Sequence, residues 1–289
     1  MNRLYVTDLD GTLIRNDLTL SPWSRRELTA LLEEGVAITV ATARSISSLT
    51  AILGAIPFRL PVIDYNGAYL TDYATRVHRM VHAIPVDAAF AVQEMMRKAG
   101  VRPFLSTYDG TRDLLFYTEA VSDGEKAYLQ ERVVFANGRL RHVEDLVLPL
   151  HSQVICFTLI DRRNRLDEIR QSLAGTFGER LILTLAEYRY TPGWFYLTVH
   201  DAHATKDRGI RALQKACGME GRELFVFGDD VNDIPMFQIA TRAIAVANAV
   251  DSVKKAAHET AGSNEEEGVL RWIRSNESAS FSSEAPHST

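Results

Sequence analysis

Cysteine is scarce, with two in 289 residues, Cys156 and Cys217, far apart and each inside an apolar stretch. That leaves no disulfide framework and reads as two reduced core thiols in a reducing compartment. No apolar run approaches the roughly 18 residues of a membrane span. A secretory leader is not expected, because an acidic residue arrives by Asp8; the expected location is cytoplasmic. Neither sign of charge dominates. With 32 Lys and Arg against 37 Asp and Glu the net charge is −5, which gives no electrostatic footing for nucleic acid or an anionic membrane. No internal repeat is present. What remains is 46% hydrophobic and 24% charged residues, ordinary for a globular chain, in a length that suits two domains better than one.

The stretch around which the rest is organised lies at the start. A short apolar run, Leu4-Tyr5-Val6, leads into Thr7-Asp8-Leu9-Asp10-Gly11-Thr12. On an extended strand Asp8 and Asp10 point the same way, and two carboxylates so close do not both stay ionised without a cation. Gly11 lets the backbone turn and approach a ligand. A calcium loop is a poor fit, since its glycine belongs at position six of twelve.

Further along, Ser21-Pro22 opens a helix predicted over 22–34 and Gly35 closes it. Residues 36–40 read as a strand covered on both faces. It ends in Ala41-Thr42-Ala43-Arg44, and Ser45 caps a helix to about 53. Residues 61–63 form a third strand running into an Asn66-Gly67 turn. This strand–helix alternation predicts a parallel sheet. From residue 84 the rhythm changes to helix 86–98, strands 101–108 and 114–118 about Asp109-Gly110, helix 124–134, strand 154–160, helix 165–177 and strand 181–185. The parallel pattern is expected to resume with strand 195–199, helix 206–217, strand 224–227, a helix to 240, strand 243–246 and helices over 251–257 and 266–274. The fold class is therefore α/β, with a core over 1–83 and 191–274, an inserted α+β domain over 84–190, and a Ser-rich tail, 275–289, expected to be disordered.

Four strand ends then offer polar groups: Asp8 and Asp10, Thr42, the region before Lys206, and Asp229-Asp230 with Asp233. Ligands of open parallel sheets bind outside the carboxyl ends of the strands, so these groups are expected at one edge. The set suits a phosphate monoester held with Mg²⁺, which takes oxygen ligands and uses one or two carboxylates plus a substrate phosphate. Asp8 and Asp229 would supply carboxylates and Asp10 a backbone carbonyl. Asp8, which directly ends the strand, would attack phosphorus. Asp10 would be the acid and base, a role worth about 10²–10⁴ in rate. Lys206, Thr42 and the backbone of the first loop would stabilise the transferring charge. Each motif alone has an ordinary explanation, as an acidic turn, a helix cap or a solvated lysine, and only the ordered set carries the reading. Arg44 and Asn66 are pocket candidates, Arg44 being equally suited to a surface ion pair. His200, Asp201 and His203 suggest a loop rim more than a zinc site. Tyr188, Tyr190, Trp194, Phe195 and Tyr196 suggest packing at a domain junction.

Asp8-Leu9-Asp10-Gly11-Thr12, Thr42, Lys206 and Gly228-Asp229-Asp230-Val231-Asn232-Asp233 resemble the four motifs of the haloacid dehalogenase (HAD) superfamily. Asn66-Gly67-Ala68, Met236, Val246-Ala247-Asn248-Ala249, Asn264 and Glu267-Gly268-Val269 resemble its Cof-type (subfamily IIB) phosphatases. The resemblance implies a Rossmann-like core, an inserted mobile cap that sets specificity, Mg²⁺, and hydrolysis of a small phosphorylated metabolite, a sugar phosphate by preference. It assigns Asp8 as nucleophile, Asp10 as acid and base, and Thr42 and Lys206 as phosphate ligands. Asp229 would bind metal, with Asp233 supporting the metal and Asn232 the phosphate. Thr42-Ala43-Arg44 departs from the usual Thr-Gly-Arg, and Ala204-Thr205 from the commoner Val-Ser; neither removes a catalytic group. A phosphomannomutase-like sugar phosphomutase and a non-catalytic metabolite-binding protein are the alternatives. A monomer or small homo-oligomer is expected.

Overall fold

A computed structural model describes residues 2–135, 138–188 and 191–283. The chain divides into two compact units, one formed by the residues up to Met80 and from Thr205 onward, the other by Val81–Ala204.

The first unit holds a five-stranded sheet in the order Glu259–Ala261, Arg242–Val246, Glu223–Gly228, Arg3–Thr7, Ile38–Val40. Every pairing in it is parallel. Leu4, Val6, Val40, Val226, Phe227 and Ile244 are all buried, which is why these strands read as continuous apolar runs: a parallel sheet is covered on both faces. Thr7 lies opposite Phe227, and the Asp8 N–H donates to the Phe227 carbonyl at 2.9 Å. Two strand ends 221 residues apart in sequence (229 minus 8) thus become neighbours. From Arg3–Thr7 the sheet extends one way through Ile38–Val40 and the other through Glu223–Gly228. The crevice where strand order reverses therefore falls beside Asp8. The helix Pro22–Glu33 begins as expected, the Ser21 hydroxyl accepting from the Ser24 N–H, and Ser45 caps Ile46–Leu53 in the same way.

Two expectations for this unit need correction. The third strand, Val62–Asp64, is joined to the parallel sheet by one parallel bridge, between Ile63 and Ala41. Otherwise it pairs antiparallel with Tyr69–Thr71 in a separate three-stranded sheet completed by His78–Val81, because the tight turn at 65–67 returns the chain at once. The tail is not unstructured from residue 275, since the last helix spans Gly268–Ser283. Buried Glu277 holds it there by accepting from the Tyr5 hydroxyl at 2.5 Å and from Arg3 at 3.2 Å. The end of the expected tail, 284–289, lies outside the described residues.

The second unit is a six-stranded sheet in the order Leu181–Glu187, Phe195–Asp201, Gln153–Asp161, Phe104–Tyr108, Asp113–Tyr117, Leu140–His142. Its pairings are antiparallel except the last, which is parallel. Alternate residues serve opposite faces. Leu105, Phe157, Leu159, Leu197 and Val199 join Val92, Met96, Leu166 and Leu173 of the helices Val86–Lys98 and Arg163–Phe177. Phe104, Leu115 and Ile160 join Tyr128 and Tyr188, with Trp194 and Tyr196 packed against them. Tyr190, expected in that aromatic group, lies outside the described residues. The strand over 195–199 was expected in the parallel core. It instead pairs antiparallel on both sides within this sheet, since so short a connection from the preceding strand permits only an antiparallel return. The second unit accordingly takes in residues 81–83 and 191–204 as well. No helix among the described residues is long and apolar enough to cross a membrane.

Candidate active site

The loop after the first strand is fixed by its own backbone and by two asparagines from elsewhere. Gly11 adopts φ +74°, the left-handed conformation that glycine accepts at least cost. The N–H groups of Leu13 and Ile14 both donate to the Leu9 carbonyl at 3.0 Å. Asn248 donates to the Gly11 carbonyl at 2.7 Å, and Asn264 to the Ile14 carbonyl at 3.0 Å. The Asn264 N–H in turn donates to the Asn248 side chain at 3.0 Å. These clamps had no assigned role from the sequence. The strand-end rule could have found Asn248, which follows Arg242–Val246 at the same edge of the sheet.

Asp8, Asp229 and Asp233 come together, one carboxylate oxygen of each lying within 4.8 Å of the others. Lys206, at the first position of the helix Lys206–Ala216, donates to Asp8 Oδ1 at 2.5 Å and to Asp233 Oδ1 at 2.6 Å. All four residues are at most 6% exposed. Asp233 Oδ2 also accepts from the N–H groups of Asp229 at 2.9 Å and Asp230 at 3.2 Å. This fold-back needs Gly228, because a Cβ there would lie 2.4 Å from Asp233 Oδ2. Thr12 donates its hydroxyl to Asp229 Oδ1 at 3.2 Å.

Burial pushes the Asp8 and Asp233 carboxyls upward, and the Lys206 ammonium opposes this without cancelling it. Burial also works against the charge of Lys206, but the two carboxylates outweigh it and hold the amine above its usual range. Ionised, three carboxylates against one ammonium leave an excess of two negative charges, the charge of one divalent cation. An all-oxygen donor set of this kind is the chemistry that Mg²⁺ takes, and the residues present fit it.

The remaining predicted residues fall around this cluster. Asp10 is not among the gathered carboxylates. Its side chain is held by Arg44, Nε donating to Oδ2 and Nη2 to Oδ1, both at 2.7 Å. Arg44, read equally as a pocket or a surface residue, has a side chain only 9% exposed. Thr42 is fully buried, and its hydroxyl accepts from the Arg44 N–H at 3.1 Å. Asn66 and Asn232 meet side chain to side chain, Asn232 donating at 3.3 Å. Tyr65 and Asn66 both have positive φ, 48° and 56°, and their N–H groups donate to the carbonyls of Arg44 and Thr42. That ties the third strand end to the second. In the other unit His203 pairs with Asp201 at 2.8 Å, and His200 is buried. Cys156 and Cys217 are free thiols.

Comparison with known proteins bears on this arrangement. The family model for haloacid dehalogenase-like hydrolases matches residues 5–273. A 5-amino-6-(5-phospho-D-ribitylamino)uracil phosphatase of Bacillus subtilis, YitU, is 24% identical over 94% of this chain and 96% of its own. Among solved structures, a haloacid dehalogenase-like hydrolase from Bacteroides thetaiotaomicron superposes with a TM-score of 0.78 at 21% identity, over 94% of this chain and 98% of that one. The HAD subclass IIB sugar phosphatase BT4131 does so with a TM-score of 0.75 at 21% identity, over the same shares.

Proposed function

Given that the chain belongs to the haloacid dehalogenase-like hydrolase family and is a hydrolase of phosphate esters, we propose that it is a magnesium-dependent phosphatase acting through an aspartyl-phosphate on Asp8. The observation that carries this reading is the buried group of Asp8, Asp229 and Asp233 with Lys206 shared between Asp8 and Asp233. The three carboxylates would hold the ion, with the Asp10 backbone carbonyl beside them. Bound there, Mg²⁺ offsets the mutual repulsion of acids and phosphate and draws charge off the phosphoryl oxygens.

The chain's own groups account for the rest. One oxygen of Asp8 attacks phosphorus as the bond to the leaving oxygen breaks, and Asp10 gives that oxygen its proton. Asp10, now a carboxylate, takes a proton from water as the water oxygen attacks phosphorus. The bond to Asp8 breaks, and phosphate and both acids are restored. Lys206, with Thr42 and the backbone N–H groups of the first loop, stabilises the charge on the transferring group. Asn232 and Asn66 border the phosphate.

The substrate in this reading is a small phosphorylated metabolite carrying a sugar or sugar-alcohol phosphate. The support is that a relative's name specifies a ribityl phosphate and a structural neighbour's a sugar phosphate. The test assays free phosphate from a panel of sugar phosphates with Mg²⁺ and with EDTA, for wild type and Asp8→Asn. Mg²⁺-dependent release that the variant abolishes, with its melting temperature retained, is expected. Substantial turnover by Asp8→Asn would remove Asp8 as nucleophile, and isomerised sugar phosphate in place of free phosphate would make the enzyme a mutase.

A further inference from the structure

The Arg44 guanidinium grips Asp10 by both carboxylate oxygens at 2.7 Å, a two-pronged pairing with fixed plane and direction. The grip is itself seated. Nη1 donates to the Ser48 hydroxyl at 3.0 Å in the first turn of the helix Ile46–Leu53. The Arg44 N–H donates to Thr42 Oγ1 at 3.1 Å, and its carbonyl accepts from the Tyr65 N–H at 3.0 Å. The arginine side chain is 9% exposed while the Asp10 side chain is 28% exposed. The buried member is therefore the clamp, and the open member is the carboxyl that must meet substrate and water.

We propose that Arg44 is a positioning residue for proton transfer. It fixes the Asp10 carboxyl in the orientation that hands a proton to the leaving oxygen, and it does not bind the substrate phosphate. The inference rests on the phosphatase reading above. An unclamped Asp10, partly open to water, would rotate freely. The proton ledger is unchanged by the arginine. Asp10 loses one proton to the leaving oxygen as the phosphorus–oxygen bond breaks and regains one from the attacking water.

This role differs from phosphate binding in a way that leaving groups expose. A nitrophenolate departs without a proton, whereas a sugar alkoxide needs one. Arg44→Gln and Arg44→Lys are compared with wild type and Asp10→Asn on p-nitrophenyl phosphate and ribose 5-phosphate, reading kcat/KM with Mg²⁺. Arg44→Gln is expected to lower kcat/KM for ribose 5-phosphate by about 10²-fold, the lower end of what a positioned acid supplies, and for p-nitrophenyl phosphate by less than about 3-fold. Arg44→Lys, with one point donor in place of a fork, should fall between wild type and Arg44→Gln. Adding Arg44→Gln to Asp10→Asn should cost nothing more, since both act through one group. Equal losses on the two esters, or full additivity in the double variant, would overturn the proposal while leaving the phosphatase reading in place. Hydrolysis of neither ester by wild type would overturn both. Melting temperatures of the variants keep an unfolded protein from being scored as a kinetic result.

Discussion

The two units put their buried polar groups to different uses. The first buries ionisable groups: Asp8, Asp229, Asp233 and Lys206 at the carboxyl ends of parallel strands. The second buries a large apolar layer between its antiparallel sheet and the helices Val86–Lys98 and Arg163–Phe177, with His200 as its fully buried imidazole. A parallel sheet aims every strand end the same way, so groups distant in sequence converge. An antiparallel sheet alternates its ends and gathers nothing at one edge. Charge held in the first unit is a liability for stability, whereas the second unit is stabilised by burial of area.

The largest effect should follow from breaking the first arrangement. Lys206→Met strands two buried carboxylates without their shared counter-charge. Removing one partner of a buried pair costs about 3–5 kcal/mol, and losing the charge on the transferring group should lower kcat by about 10²–10³. Urea unfolding without Mg²⁺ and steady-state kinetics with it would measure the two. If Lys206 were an ordinary solvated lysine, neither would change.

His200 tests the second unit through pH. Burial pushes its imidazole down to about 4, against the pull of a backbone hydrogen bond to Ile155 and the charge of Asp201. The folded state therefore keeps His200 neutral while the unfolded chain takes up a proton near pH 6.5. Stability is whole above that pH, declines as pH falls toward 4, and is then level, a total of about 3 kcal/mol. His200→Gln should flatten this slope. Hydrogen exchange in Gln153–Asp161 at pH 7 and at pH 4.5, in wild type and variant, would check it, since acids of the first unit titrate alike in both proteins.

The contrast between the units also sets how much could be read from residues alone. That Asp8, Asp229 and Lys206 would lie together was legible because each stands at an element boundary with a small spacing signature, and the parallel-sheet rule then supplies their proximity. The strand over 195–199 was misplaced because a buried antiparallel strand and a buried parallel one carry the same apolar run. Only pairing partners separate them. The bridge from Ile63 to Ala41, the burial of Glu277 and the Asn248–Asn264 clamp depend on contacts across the fold, which local spacing does not encode. Arg44 lay between these cases. Its proximity to Thr42 was visible, but its partner Asp10, 34 residues away, was not.

Metal binding should separate the units again. If Asp8, Asp229 and Asp233 hold Mg²⁺, saturation at 100 times the dissociation constant stabilises the folded state by about 2.7 kcal/mol. Amide protection in the first unit should rise around Asp8 and Asp229 and stay level in the strand Gln153–Asp161. Uniform protection of both units would mean that the ion is not bound at this cluster.

The smallest effect compares two glycines with nearly the same φ. Gly67, in the first unit, has φ +100°, and a Cβ there would lie 2.2 Å from the Thr205 carbonyl oxygen, directly before Lys206. Gly110, in the second, has φ +96° with nothing within 4 Å. Alanine at either position meets the left-handed penalty of roughly 1–2 kcal/mol. At Gly110 the cost ends there, because the new methyl points into open space. At Gly67 the methyl drives against backbone that cannot swing aside, so Thr205 must shift and the first turn of Lys206–Ala216 with it. Gly110→Ala should therefore lower the melting point slightly and leave kcat untouched. Gly67→Ala should lose about 1–3 kcal/mol more by overpacking and reduce kcat by displacing Lys206 from Asp8. Equal kcat in the two variants would show that the seat of Lys206 does not depend on the 65–67 turn.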